Sequence, residues 1–238
     1  MQTDLSAANL VLGLTWFVVF LFSTTLHEAS HALAAYKLGD PTAYHGGQVS
    51  LNPLPHLRRE PIGMVAIPLL TYFTQGWMMG WASAPYDPSW ARRYPKRAAV
   101  MALAGPAANL TLVLAAGLAI RAGMAAGAFH APDRVGFTEV TSANGHGAAA
   151  AFVMPLSLVF SLNLILFIFN LLPLPPLDGS AVLPAFLSAG AAQRYSELLH
   201  QPMMSMLGLL VAWKLFGPIY DPLQILALKL LYPGVIYH

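Results

Sequence analysis

Three long stretches of the chain contain no charged residue and are rich in apolar side chains. They cover residues 5–26, 98–120 and 148–172. An apolar run of about 20 residues is long enough to cross the hydrocarbon core of a bilayer as an α-helix. The pattern therefore predicts three membrane-spanning helices.

The C-terminal part of the chain shows a weaker pattern. Two shorter apolar runs cover residues 203–213 and 223–231. The residues between them include four that are typical of turns, namely Gly217, Pro218, Asp221 and Pro222. We therefore expect separate, short C-terminal helices within 203–236, tilted or lying at the membrane interface.

The composition narrows the class of protein. Of the 238 residues, 57% are hydrophobic and 9% are charged, whereas an average soluble domain has about 25% charged residues. An ordinary soluble enzyme and a disordered protein are excluded, and a net charge of +2 gives no reason to expect nucleic acid as a partner. The absence of cysteine excludes disulfides and thiolate-bound zinc. What remains is an all-α polytopic membrane protein, a helix bundle expected to form one membrane-embedded domain over residues 1–238 with its core at 8–185.

Basic residues orient the first helix. Lys37, Arg58 and Arg59 follow it and no basic residue precedes it, so the positive-inside rule places its C-terminal end in the cytoplasm. The apolar segment 62–81 has basic residues on both sides, and those that follow it are Arg92, Arg93, Lys96 and Arg97. If both ends are cytoplasmic, this segment is re-entrant or lies on the surface.

The first helix carries the motif His27-Glu28-Ala29-Ser30-His31 at its C-terminal end. A helix places residues i and i+4 about 40° apart around its axis, so both imidazoles project from one face. Two such histidines can bind one Zn²⁺, with the glutamate as general base. Ionisable groups in an apolar helix are costly and usually functional, which favours a metal site over polar residues that satisfy one another in a bundle.

A catalytic zinc ion needs a third protein ligand and one open position. The best candidate is Asp178, which follows the third apolar run. Pro173, Pro175 and Pro176 cannot continue that helix, so the backbone unwinds before Asp178. Unwound backbone at membrane depth lines a cavity. The alternative is a turn outside the membrane with Asp178 in solvent.

The motif at residues 27–31, paired with the pattern N-x-x-P-x-P-x-x-D-G at 170–179, resembles the site-2 protease family of intramembrane zinc metalloproteases. Stretches at 39–43, 50–56 and 105–109 resemble the small bacterial and archaeal members. The resemblance runs from about residue 8 to residue 185, and no PDZ or CBS domain is recognisable.

The resemblance implies His27, His31 and Asp178 as ligands of one Zn²⁺ per chain and Glu28 as the catalytic base. It also places Asn109 near the active site. Supporting or substrate-positioning roles are implied for Asn170, Pro173, Pro175 and Gly179. The implied substrate is a membrane protein that is cut within or near a transmembrane helix, in regulated intramembrane proteolysis.

The position of Asp178 relative to the histidines tests the topology. If residues 62–81 crossed the membrane, Asp178 would emerge on the outer side, about 30 Å from the histidines. A re-entrant segment instead sends 98–120 outward and 148–172 inward, which brings Asp178 beside them. We therefore predict a re-entrant segment near the active site; an extra half-span elsewhere in the chain is the alternative.

Substrate contacts are predicted less directly. Within 46–52, Val49 and Leu51 alternate with Gln48 and Ser50, which indicates a short strand-like run near the active site. Its edge would hold an unwound substrate by backbone hydrogen bonds. An ordinary connecting loop is the alternative.

Two other functions remain open. One is a membrane metalloprotease whose third ligand is a glutamate, for which Glu60, Glu139 and Glu197 are available. The other is a non-catalytic metal-binding membrane protein or transporter, which has no need of Glu28. We expect a prokaryotic cytoplasmic membrane, an active site facing the cytoplasm, and the lipid bilayer and a transmembrane-helix substrate as partners.

Overall fold

The computed structural model describes residues 6–199, 201–235 and 237. The α-helices in this part of the chain are α1 Ala7–Leu38, α2 Thr42–His45, α3 Pro53–Arg59, α4 Ile67–Gln75, α5 Pro88–Arg93, α6 Pro95–Ala125, α7 Ala150–Asn170, α8 Ala189–Leu199 and α9 Pro202–Leu231. A π-helix, Ile62–Ala66, precedes α4, and two 3₁₀ helices, Asp178–Ala181 and Leu183–Phe186, follow α7. Strands β1 Phe129–His130 and β2 Ser142–Ala143 pair antiparallel.

Four helices of the described residues are long and apolar enough to cross a membrane: α1, α6, α7 and Met203–Leu231 of α9. The first three match the predicted spans and confirm an all-α polytopic membrane protein. The prediction of separate short C-terminal helices is wrong, because α9 continues through Pro218 and Pro222. Each proline removes one helical hydrogen bond, whereas a turn at this depth would leave several backbone groups unpaired in lipid.

Helix α6 lies between α1 and α7 and packs against both. Its buried positions carry mostly small side chains, among them Ala98, Ala102, Gly105 and Ala116. Small residues let helix backbones approach closely in a membrane, where packing rather than water exclusion holds helices together. These three helices form the framework that carries the site.

Helix α1 is longer than the apolar run that predicted it. It continues to Leu38 and ends at Gly39, whose φ of 103° closes the helix in the left-handed conformation. The H-E-x-x-H motif therefore lies inside α1 rather than at its end. The turns after His31 therefore support the helical backbone of the motif on its C-terminal side as well.

Residues 62–81 enter the bundle and return to where they started. The Trp81 amide donates to the Gly63 carbonyl (3.1 Å), so the two ends of the segment are neighbours. Its helical part, Ile62–Gln75, is about 21 Å long, which is too short to span a bilayer of about 30 Å. Arg97 Nη1 also donates to the Leu38 carbonyl (3.1 Å), which places the start of α6 beside the end of α1. These contacts give the geometry that the predicted re-entrant segment requires.

The strand-like run predicted at 46–52 is not formed. The backbone turns at 46–47 and bends at 49–51, as in the connecting loop that was the alternative. The alternation is reversed with respect to burial, because Gln48 is 2% exposed whereas Leu51 is 61% exposed. The Gln48 side chain donates to the Ser83 carbonyl (3.4 Å) and ties the loop to residues 82–86, the returning arm that follows the re-entrant segment.

The connection between α6 and α7 closes the end of the bundle at which α1 and α7 begin. Phe137 stacks on Trp16 of α1 with ring centroids 5.4 Å apart. The Val140 amide donates to Ser157 Oγ of α7 (2.8 Å), and the Val140 carbonyl accepts from the Tyr232 hydroxyl (2.8 Å). This segment, 126–149, forms a packed outer cap.

Candidate metal centre

Two histidines of α1 and one aspartate from a distant segment meet at the centre of the bundle. His27 Nε2 lies 2.9 Å from His31 Nε2. Asp178 Oδ2 lies 3.1 Å from His27 Nε2 and 3.3 Å from His31 Nε2. The motif spacing explains the histidine pair, and the turn after α7 supplies the carboxylate.

The turn that carries Asp178 is held by close backbone packing. A Cβ on Gly179 would lie 2.3 Å from the Leu171 carbonyl oxygen, so this position accepts only glycine. On the other side, a Cβ on Gly208 of α9 would lie 2.0 Å from the Pro175 carbonyl oxygen. Leu172 and Leu177 pack with Ala212 of α9. Helix α9 thus packs against the turn and holds the Asp178 carboxylate in position.

The outer nitrogens of the two imidazoles are both occupied. His31 Nδ1 lies 2.8 Å from the Met101 carbonyl oxygen, and His27 Nδ1 lies 2.5 Å from Asn109 Oδ1. A carbonyl oxygen only accepts hydrogen bonds, so each Nδ1 carries the proton in the neutral imidazole. Each Nε2 then presents a lone pair to the centre of the cluster.

The donor set fits a zinc ion. Two Nε2 lone pairs and a carboxylate oxygen face one another, an arrangement whose mutual repulsion a bound cation removes. Histidine nitrogen and carboxylate oxygen are common zinc ligands, and tetrahedral zinc ligands lie about 3.3 Å apart. His27, His31 and Asp178 form the group of metal-ligating side chains found in the described part of the chain.

Helix α6 reaches the cluster through a residue without a side chain. A Cβ built on Gly105 would lie 2.3 Å from His31 Nε2 and 2.5 Å from His27 Nε2. Residues 105–109 belong to a stretch that resembles the small members of the site-2 protease family, and the structure gives Gly105 a steric reason. Any other residue would occupy the space of the two ligand atoms.

Glu28 lies beside the cluster at the wall of a cavity of about 1110 Å³. Its side chain is buried and makes no hydrogen bond to any described residue. The cavity is also lined by His31, by Asp178 and by Ala82–Tyr86 of the returning arm. A carboxylate without a competing donor is available to exchange protons in this cavity.

Of the other predicted residues, some lie at the site and some lie away from it. Asn109 is fully buried and touches His27, and Pro175 lines the cavity. Asn170 donates to the Leu166 carbonyl of its own helix (3.0 Å). Neither Asn170 nor Pro173 is among the residues that line the cavity.

The three glutamates considered as alternative ligands lie elsewhere. Glu60 Oε1 accepts from Ser83 Oγ, Glu139 accepts from Ser142 in the outer cap, and Glu197 accepts from Gln193 of α8. None of them joins the histidine pair. The geometry therefore favours Asp178 over a glutamate as the third ligand.

Sequence reasoning missed Asn163. It is fully buried in α7, and its Oδ1 accepts from Asn109 Nδ2 (2.8 Å). The signal was present, because an asparagine in the middle of an uncharged membrane helix needs a polar partner. The Met101 carbonyl was missed as well, and no sequence pattern marks it.

Fold and site together define a multi-pass membrane protein with a cluster of two buried histidines and a half-buried aspartate. The model of the family described as "Peptidase family M50" matches residues 15–213, so the chain belongs to this family, and the site-2 protease resemblance is confirmed. Membership makes it a zinc metalloprotease of the M50 type.

Relatives of known name agree with this assignment. The chain is 31% identical to "Putative zinc metalloprotease YwhC" of Bacillus subtilis over 231 residues, which cover 87% of this chain and 92% of that protein. It is 30% identical to "Putative zinc metalloprotease Rip2" of Mycolicibacterium smegmatis over 190 residues, covering 76% of this chain and 63% of that protein. No solved structure matches the chain.

Proposed function

We propose that this protein is an intramembrane endopeptidase that cuts membrane-protein substrates within or next to a transmembrane helix. The observation that carries the proposal is the position of the His27, His31 and Asp178 cluster inside a bundle of membrane helices, at the wall of a cavity. A peptidase site at this depth is suited to bonds that soluble proteases do not reach.

The roles of the side chains follow from their positions. His27, His31 and Asp178 would hold one zinc ion, which when bound acidifies an attacking water molecule and polarises the scissile carbonyl. Glu28 accepts a proton from the water and delivers it to the leaving amine. Asn109 and the Met101 carbonyl orient the two imidazoles.

Water and substrate approach from the end of the bundle where the cavity opens. Arg92, Arg93 and Lys96 line the cavity together with the catalytic groups. The outer cap packs over the opposite end, where Val140 and Thr141 are almost fully buried. Following the positive-inside rule, we place the basic end in the cytoplasm of a prokaryotic cell, with the protein in the cytoplasmic membrane.

An intact helix is a poor substrate, because each of its carbonyl groups is already bonded to an amide. The returning arm of the re-entrant segment offers a place for an unwound one. Ala82 and Ala84 line the cavity in non-helical backbone, and their amide and carbonyl groups have no partner among the described residues. Such groups can pair with an extended peptide.

The proposal is tested by cleavage in reconstituted vesicles. A panel of single-pass substrates, with and without Gly, Pro or Asn within the span, is incubated with wild type and with Glu28→Gln, and the cut sites are mapped. We expect cleavage inside or beside the destabilised spans. The Glu28→Gln variant should bind zinc as wild type does and cut at least about 100-fold more slowly.

Two results would contradict the proposal. Cleavage that persists in Glu28→Gln would show that Glu28 is not the general base. Zinc binding without cleavage of any panel member would favour the alternative, a non-catalytic metal-binding membrane protein or transporter.

A further inference from the structure

The two histidines of the cluster are oriented by acceptors of different kinds. His31 Nδ1 makes a hydrogen bond to the backbone carbonyl of Met101, which can only accept. His27 Nδ1 faces the side-chain amide of Asn109. An amide can rotate and present either its oxygen or its NH₂ group, so the tautomer of His27 depends on what holds Asn109.

Asn109 is held by a second asparagine. Its Nδ2 donates to Asn163 Oδ1 at 2.8 Å, and both residues are fully buried. If the Asn109 amide rotated alone, its oxygen would face Asn163 Oδ1 and two acceptors would meet without a proton. The orientation of Asn109 is therefore decided by that of Asn163.

Asn163 is in turn fixed by the backbone. Its Nδ2 donates to the Val159 carbonyl at 2.8 Å and to Ser23 Oγ at 2.9 Å. Rotating this amide would place Oδ1 against the Val159 carbonyl oxygen, again two acceptors. The hydroxyl of Ser23 can both donate and accept, so it tolerates either orientation, and the Val159 carbonyl alone decides.

We infer that Asn163 is a positioning residue of the metal site: through Asn109 it holds His27 in the tautomer whose Nε2 lone pair faces His31 and Asp178. The role in metal binding rests on the proposed function. The tautomer of His27 does not, because the hydrogen bonds that set it exist without metal. This chain of hydrogen bonds, the relay, leaves Asn109 only its oxygen to present to His27 Nδ1. His31 Nδ1 has the same kind of fixed acceptor in the Met101 carbonyl.

Replacing Asn163 by leucine removes both links of the relay while keeping the number and branching of the side-chain heavy atoms. The Asn109 amide is then free to present its NH₂ group to His27 Nδ1, which moves the imidazole proton to Nε2, where it competes with a metal ion. Residues that orient metal-bound histidines typically contribute 10- to 100-fold to metal affinity. We expect Asn163→Leu to weaken zinc binding about tenfold.

Two measurements test this with detergent-purified full-length protein. The first is ¹⁵N NMR of histidine-labelled, metal-free protein at alkaline pH, with the His27 signals assigned by difference from His27→Gln. Wild type should show the proton of His27 on Nδ1, and Asn163→Leu should show it wholly or partly on Nε2. The second is zinc affinity by competition with a chromogenic chelator.

Controls separate positioning from general loss of structure. Ser157→Ala removes a buried hydrogen bond from the same helix, to the outer cap, and should change neither readout. Ser23→Ala should also leave the tautomer unchanged, because the Val159 carbonyl remains. In the Asn109→Leu background, Asn163→Leu should have no further effect on zinc affinity, since the relay acts only through Asn109.

The inference is overturned if Asn163→Leu keeps the His27 proton on Nδ1, or if its loss of zinc affinity is matched by Ser157→Ala or persists undiminished in the Asn109→Leu background. Failure of the proposed function has a different signature. If wild type binds no zinc, the metal site is wrong, while the tautomer measurement still decides whether the relay exists.

Discussion

The missing side chain at Gly105 allows α6 to touch both histidines of α1. A glycine inside a membrane helix can serve general helix packing, but here the Cβ position coincides with the ligand nitrogens. Gly117 of the same helix provides a contrast. A Cβ there would lie 3.7 Å from the Phe160 ring, an ordinary van der Waals distance.

We therefore expect Gly105→Ala to abolish zinc binding, because the methyl group displaces the imidazoles. Gly117→Ala should bind zinc as wild type does and gain up to about 1 kcal/mol of helix stability. Zinc content after purification and the melting temperature of both variants check this. Equal zinc content in the two variants would show that α6 does not approach the histidines as closely as described.

At the scale of single residues, the sequence predicts His27, His31 and the distant Asp178, but it does not predict the buried pair Asn109 and Asn163. The four-residue spacing places His27 and His31 on one face because helical geometry requires it. Asn163 meets Asn109 from 54 residues away, and only the packing of α7 on α6 creates that contact. No spacing rule along the chain encodes such a pair.

Individual elements were predicted where the membrane leaves little choice. Long uncharged runs became helices, and the basic residues around 62–81 indicated a segment that returns to its own side. The C-terminal prolines predict a turn because turn signals derive from chains in water, where free backbone groups are solvated. In lipid the same prolines lie within one helix, α9.

The re-entrant segment can be tested by labelling, since the chain contains no cysteine to give background. Arg58→Cys and Arg92→Cys lie before and after the segment, and both should react with an impermeant maleimide from the cytoplasmic side. His146→Cys in the outer cap should react from the other side. Opposite labelling of positions 58 and 92 would show that residues 62–81 cross the membrane.

Asp40 links two elements at the basic end of the bundle, the end of α1 and the start of α5. Its carboxylate accepts from the Thr42 amide and hydroxyl and from the Asp87 amide. Burial alone would raise the pKa of Asp40, but the hydrogen bonds from Thr42 and Asp87 outweigh it and hold the pKa below its usual value.

A depressed pKa in the folded state means that this stabilisation is complete above the unfolded pKa of about 3.9 and is lost as the pH falls below it. Asp40→Asn should therefore melt at a lower temperature than wild type at pH 7, and the difference should narrow below about pH 4. Melting curves in detergent across this range measure it. A difference that stays constant with pH would show that the charge of Asp40 contributes nothing.

The whole molecule is organised around a site that no single element contains. Two of its candidate metal ligands, His27 and Asp178, are separated by 151 residues of sequence, and the turn that carries Asp178 packs against α9. The outer cap closes one end of the bundle, and the cavity beside Glu28 is lined by residues of the basic end. A metal ion bound here would join α1 to the segment after α7.

Zinc should therefore stabilise the whole fold, not only complete the site. At a free zinc concentration 100 times the dissociation constant, binding contributes about 2.7 kcal/mol, or about 5–10 °C in melting temperature for a chain of this size. Glu28→Gln should show the same increase, because Glu28 is not a ligand. Asp178→Ala should show little of it, because the link to the segment after α7 is cut. An undiminished increase in Asp178→Ala would place the metal on the two histidines and another group, and the topology argued from Asp178 would lose its support.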